Sequence, residues 1–135
     1  MLKNLRIDKE IFTAILAHLQ AVYPQEGCGL LAGLDGQVSH WYAVENSLHS
    51  PVAYHMEPTQ QLQAMLAAEE ESLTLLGVCH SHPTGPARPS QTDIKQAYYP
   101  DFVQSIVSLQ NRVQPSVRGF YIVDGQVNEI PLLLE

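Results

Sequence analysis

Cysteine is scarce in this 135-residue chain: only Cys28 and Cys79, far apart in sequence. Two cysteines give no disulfide framework, and free thiols in a reducing cytoplasm are the plain expectation. Long hydrophobic runs are also missing. No stretch approaches the ~20 apolar residues of a membrane-spanning helix. Met1 to Tyr23 mixes Lys9, Glu10, His18 and Gln20 with its apolar residues and has no small-residue cleavage site, unlike a signal peptide. Basic residues are few: seven Lys and Arg against fourteen Asp and Glu, a formal charge of −7. Nucleic acid and anionic membrane both want a basic patch, so neither partner is expected. Repeats, low-complexity tracts and internal linkers are absent. What is there is ordinary for a soluble protein: 45% hydrophobic and 16% charged residues. A single cytoplasmic domain over residues 1–135, long enough to bury a core, is the expectation.

The chain reads as alternating elements. Asp8 is placed to cap a helix starting at Lys9, with Ile11, Phe12, Ile15, Leu16, Leu19 and Val22 on one apolar face. Pro24 stops it. Cys28 to Leu34 and Gln37 to Val44 read as a hairpin around Asp35-Gly36, with Glu26 at its start. Glu45 to Pro51 is a loop, and Ala53 to Met56 a short strand. Pro58 opens a second helix with an apolar stripe of Leu62, Met65 and Leu66. Acids at Glu69 to Glu71 oppose the dipole there, which predicts fraying. Leu75 to Cys79 reads as a buried strand, Pro83 to Pro89 as a loop, and Ser90 as the cap of a third helix reaching about Tyr98. Phe102 to Leu109, Val117 to Val123 and Val127 to Leu134 are three further strands, with a hairpin at Asp124-Gly125. This order gives an α/β protein of the α+β type with a largely antiparallel or mixed sheet.

One stretch carries chemistry: His80-Ser81-His82-Pro83, a proline-rich loop, then Ser90 and Asp93. Residues two apart on a strand face the same way, so both imidazoles share a side. The loop lets the chain fold back, and the following helix presents Asp93 from its first turn. Two histidines and a carboxylate suit zinc and leave a fourth position open, as in catalytic rather than structural sites. Glu26, beside a glycine-rich strand that permits close approach, is the best base for a metal-activated water. Ser90 is placed to donate a hydrogen bond to an oxyanion. Taken singly, each has a plainer explanation. Ser90 and Asp93 have the spacing of a capping pair. His-X-His occurs by chance on exposed strands, and a lone glutamate is usually a surface carboxylate. The joint pattern favours the chemical reading.

The set Glu26…His80-Ser81-His82-Pro83, with seven residues between His82 and Ser90 and two more before Asp93, resembles the JAMM (MPN+) metalloprotease motif. Glu26-Gly27-Cys28-Gly29-Leu30-Leu31-Ala32-Gly33 looks like that family's glutamate-bearing strand. Asn46 and Met56-Glu57-Pro58 match its connecting elements. The resemblance covers roughly residues 5 to 125. It implies a twisted mixed β-sheet flanked by helices, similar to cytidine deaminases. It implies zinc on His80, His82 and Asp93, with Glu26 moving the water's proton to the leaving amine and Ser90 stabilising the tetrahedral intermediate. It also implies hydrolysis of an amide after the C-terminal Gly-Gly of a ubiquitin-like protein. The short chain is more similar to compact prokaryotic members that process sulfur-carrier proteins. Such a tail docks as an extended strand along a sheet edge.

Other readings remain. A non-catalytic scaffold of the same fold would act through partners, and a phage-tail or cell-wall peptidase would use the same site. A homodimer is left open. Cys79 is expected to point into the core. Cys28 shares a face with Glu26, which leaves both core packing and an oxidation-sensitive thiol near the metal. Trp41 and Tyr42 face opposite ways, one of them into the core. His18, His40, His49 and His55 lack ligand spacing. Arg88 sits in the loop beside the site, where a solvated arginine is the default.

Overall fold

The computed structural model describes residues 1–135. Its elements in chain order are β1 (Leu5–Ile7), α1 (Lys9–Ala21), β2 (Cys28–Leu34), β3 (Gln37–Val44), α2 (Pro58–Glu70), β4 (Thr74–His82), α3 (Gln91–Lys95), β5 (Val103–Ser108), β6 (Ser116–Val123), β7 (Gln126–Ile130) and β8 (Leu132–Leu134). All eight strands join one mixed sheet in the order β7-β6-β5-β4-β2-β3-β1-β8. β7 and β8 lie at opposite edges yet are separated by Pro131 alone. The sheet must therefore curl until its two edges nearly meet.

Local chemistry explains the connections. Asp35-Gly36 and Asp124-Gly125 all have positive φ (53° and 76°, 51° and 78°), the turn that matches the twist of two-residue hairpins. β4 lies mid-sheet, antiparallel to β2 and parallel to β5. It carries one extra residue, because Leu31 pairs with Gly77 while Ala32 pairs with Leu75. This bulge at Leu76 resets which side chains face which side. Val78 joins the cluster under α2, and Cys79 joins the larger cluster that Ile15 and Leu19 of α1 enter. Gly77 is required there, since a β-carbon would collide with the Val103 carbonyl.

Several elements differ from the sequence reading. Asp8 occupies the cap position but makes no cap bond; its carboxylate accepts from the Gln37 side chain at 2.8 Å instead. Val22 lies just past the end of α1. The stripe expected on α2 is not its buried face. Ala64 and Ala68 are buried, Met65 is partly so, and Leu62 and Leu66 are 56% and 54% exposed. Small residues let α2 lie close to the sheet, which turns the leucines outward. The helix runs regularly to Glu70, and Glu71 meets His40 at 3.0 Å. Ala53 to Met56 is no strand: a single bridge joins Asn46 to Met56. The third helix stops at Lys95, short of Tyr98. The last expected strand is two, broken where Pro131 lacks a donor. β1 went unread because three residues show no period. Trp41 and Tyr42 do face opposite ways, but each is only partly buried, against a different cluster.

Candidate metal centre

His80 and His82 lie at the C-terminal end of β4, and both are buried. Ser90 caps α3 and Asp93 is its third residue, closing a reciprocal capping box. The Ser90 Oγ accepts from the Asp93 N–H at 3.0 Å, and the Ser90 N–H donates to Asp93 Oδ2 at 2.9 Å. The plain structural role of this pair is therefore real, and it also aims the carboxylate. Asp93 Oδ2 lies 3.3 Å from His80 Nε2 and 3.0 Å from His82 Nε2, while the two nitrogens are 3.1 Å apart. Three ligand atoms thus form a nearly equilateral triangle. Tetrahedral zinc with bonds of about 2.0–2.1 Å has ligand–ligand edges of roughly 3.3–3.4 Å. The donor set and its spacing fit that ion.

The surrounding contacts prepare these atoms. His82 Nδ1 lies 2.8 Å from the Pro86 carbonyl, so it carries the proton and leaves the Nε2 lone pair for the triangle. The rigid loop supplies that carbonyl. Tyr54 covers the His80 ring at 4.5 Å between centroids, and His80 Nδ1 is buried without a partner. Burial pushes His80 below its ordinary pKa. Burial also acts to lower His82, but hydrogen bonds with Asp93 and Pro86 outweigh it and raise the group. Asp93 is desolvated as well, yet its hydrogen bonds to both imidazoles hold it well below the usual carboxylate range.

Glu26 precedes β2 and is 4% exposed. Its backbone is clamped: the N–H donates to the Ser50 carbonyl at 2.8 Å, and its own carbonyl accepts from Asn46 Nδ2 at 2.9 Å. The next residue is tied to the histidine strand, since the Gly27 N–H donates to Ser81 Oγ at 2.8 Å. Its side chain is different. Oε1 is buried with no hydrogen-bond partner. Burial raises the carboxyl to about 8, moderated by His82 and reinforced by Asp93. A buried acceptor left unpaired costs roughly 1–3 kcal/mol, and such groups call for a functional explanation.

The structure thus brings Glu26, His80, His82, Ser90 and Asp93 to one end of the sheet. It leaves other candidates out. Cys28 is fully buried in the cluster under α2, and burial, helped by the Glu26 charge, lifts its thiol to about 12. A thiol so protonated is a poor nucleophile, which favours core packing over redox sensitivity. Cys79 lies in the larger core. Arg88 is exposed, and its side chain makes no hydrogen bond or ion pair. Sequence reasoning missed Tyr54, the carbonyl of Pro86, and the clamps made by Ser81 and Asn46. Ser81 had a signal: a hydroxyl between two inward histidines faces the other side of the strand, where it needs a partner.

Comparison with known proteins agrees with this geometry. Residues 8–120 match the family described as prokaryotic homologs of the JAB domain. A CysO-cysteine peptidase of Mycobacterium tuberculosis is 33% identical over 128 residues, covering 93% of this chain and 88% of that protein. A probable TtuB-protein conjugate cleaving protease of Thermus thermophilus is 42% identical over 94 residues, 69% of this chain and 63% of that one. The solution structure of a Desulfitobacterium hafniense protein superposes with a TM-score of 0.89 at 34% identity, covering 97% of this chain and 92% of that chain. No helix here is long and apolar enough to cross a membrane. With the family matched over most of its length and the fold shared, the chain belongs to the prokaryotic JAB-domain branch of the JAMM metallopeptidases.

Proposed function

We propose that the chain is a zinc-dependent isopeptidase that hydrolyses the amide bond after the C-terminal Gly-Gly of a ubiquitin-like sulfur-carrier protein, in the cytoplasm. His80 Nε2, His82 Nε2 and Asp93 Oδ2 would hold the ion. When bound, zinc supplies Lewis acidity, which brings the pKa of water toward about 7 and polarises a carbonyl. Glu26 takes the proton of the attacking water on its unpaired oxygen and delivers it to the leaving amine. Glu26, which burial alone keeps protonated, would be ionised and able to accept that proton beside a cation held on His80, His82 and Asp93. Ser90 Oγ already accepts the Asp93 N–H, so its own hydrogen is free to donate to the oxyanion developing on the scissile carbonyl. The Pro86 carbonyl keeps His82 in the tautomer that binds metal.

One observation carries this reading: a buried carboxyl with an unpartnered oxygen feels the charges of His82 and Asp93, which with His80 offer three ligand atoms all within 4.8 Å of one another. The similarity to a CysO-cysteine peptidase and to a probable TtuB-protein conjugate cleaving protease supports the substrate class. The test is cleavage of sulfur-carrier proteins extended beyond Gly-Gly, comparing wild type, Glu26→Gln and chelator-treated protein. Glu26→Gln is expected to retain stoichiometric zinc and lose turnover by about 10²–10⁴-fold, the usual weight of a general base. Turnover at the wild-type rate in that variant removes Glu26 from the role of base.

A further inference from the structure

The two imidazoles of the metal centre are held by different means. His82 is held by a hydrogen bond, since its Nδ1 lies 2.8 Å from the Pro86 carbonyl. The loop that carries this carbonyl is itself tied down: Ser108 Oγ donates to the Gly85 carbonyl at 2.7 Å. His80 has no such bond. It is only 1% exposed, and its Nδ1 has no partner. Its side-chain polar contacts are all at Nε2, with His82 and Asp93, the other two corners of the ligand triangle. A cation on Nε2 takes up that lone pair, which leaves no hydrogen bond to fix the ring. A ligating histidine ordinarily has one on its other nitrogen. What lies against His80 instead is Tyr54. The ring centroids are 4.5 Å apart and the planes are inclined by 31°, nearer to face-to-face than to edge-on. Tyr54 is firmly placed. Buried Asn46 donates from Nδ2 to the Ala53 carbonyl at 3.0 Å and accepts the His55 N–H on Oδ1 at 3.2 Å, so the residues on either side of Tyr54 are both pinned.

We propose that Tyr54 is a positioning residue of the metal centre: the electron-rich face of its ring holds the His80 imidazole in the orientation that binds the ion, in place of the missing hydrogen bond. Two neutral rings stacked nearly face to face gain little from their quadrupoles. An imidazole that gives its Nε2 lone pair to a divalent cation is electron-poor. A phenol ring then attracts it as it attracts any cationic group within about 6 Å of its centroid, most strongly where water is excluded. The burial of His80 meets that condition. The stack therefore favours the metal-loaded form over the empty one. Its contribution shows in affinity for zinc rather than in the stability of the metal-free fold. His82 needs no such ring, because the Pro86 carbonyl serves it.

This inference rests on reading His80, His82 and Asp93 as zinc ligands, and its test separates the two. Zinc affinity is measured by competition with a chromophoric chelator. The proteins compared are wild type, Tyr54→Phe, Tyr54→Leu, and variants with difluoro- or pentafluorophenylalanine at position 54. Fluorine draws electrons from the face of the ring while keeping the ring and its packing. Tyr54→Phe is expected to bind zinc as tightly as wild type, and affinity should then fall stepwise with fluorine content. Tyr54→Leu and the pentafluoro variant should each bind about 10–100-fold more weakly, the usual weight of a group that orients a ligating histidine. Metal-free melting temperatures should agree among Tyr54→Phe and the fluorinated variants, and the gain on adding zinc should follow the affinity. A ring that only packs would leave zinc affinity equal across the aromatic series. That equality, or wild-type affinity in Tyr54→Leu, overturns the inference and leaves the metal centre standing. Wild-type protein that takes up no zinc overturns both.

Discussion

On the face of the sheet covered by α1, thirteen buried apolar residues form one cluster; on the face covered by α2, the corresponding cluster has six. Ala87, Ile106 and Phe120 form a separate cluster of three, and polar groups take further positions. Glu26, His80 and His82 take positions on the α2 side that leucine or valine would fill on the other. The helices follow suit, since α1 buries Ile15 and Leu19 while α2 buries only Ala64 and Ala68. One face supplies cohesion and the other supplies chemistry. Of the three buried side-chain atoms without a hydrogen-bond partner, Glu26 Oε1 and His80 Nδ1 lie on the second face, and Ser105 Oγ, whose residue pairs with Cys79, lies on the first.

Substitutions should divide along this line. Asp93→Ala removes one corner of the triangle and is expected to lose both zinc and activity, by more than about 10³-fold; full zinc occupancy by elemental analysis would remove Asp93 from the ligand set. Ile15→Ala, on the opposite face, should cost about 2–5 kcal/mol of stability. The folded remainder should keep its zinc and its kcat, as read by urea titration and by activity per folded molecule. A lowered kcat there would show that the two faces are coupled.

A smaller effect concerns pH. The Glu26 carboxyl, raised from the ordinary 4.5 to about 8, stays protonated in the folded metal-free protein while the unfolded chain ionises. Folding therefore loses stability as pH rises from about 4.5 to about 8. Burial lowers the pKa of His80, while hydrogen bonds with Asp93 and Pro86 raise that of His82, so both also contribute to the pH dependence. The difference between wild type and Glu26→Gln isolates the carboxyl. In chelator, the melting temperature of Glu26→Gln should gain on wild type steadily from pH 5 to 8; a constant gap would contradict the burial penalty. The smallest expected effect is Leu62→Ser, within about 0.5 kcal/mol by urea titration. A large loss would mean that the exposed flank of α2 is part of the core after all.

The contrast also explains what could be read in advance. The metal corner was legible, because strand alternation and capping spacing are local rules that His80, His82, Ser90 and Asp93 obey. Cys28–Leu34, Gln37–Val44 and both Asp-Gly turns were legible for the same reason. The α2 face was not. Whether Leu62 or Ala64 is buried depends on how near the helix lies to the sheet, a distance that no local pattern encodes. Nor could Tyr54 be placed over His80, since its loop is held by the long-range bonds of Asn46. β8 pairs only with β1, and β1 pairs with β8 and β3, partners far away in sequence, while three residues leave no period to detect.

The bulge at Leu76 has a consequence for descent. β4 holds one more residue than its partner strand requires. A lineage that lost a single residue between Leu75 and Cys79 could close the bulge, and both histidines would still face Asp93. A lineage that gained one there would have to house two surplus residues or rotate the histidines into the apolar layer. Length variation near this strand should therefore run one way, toward shortening.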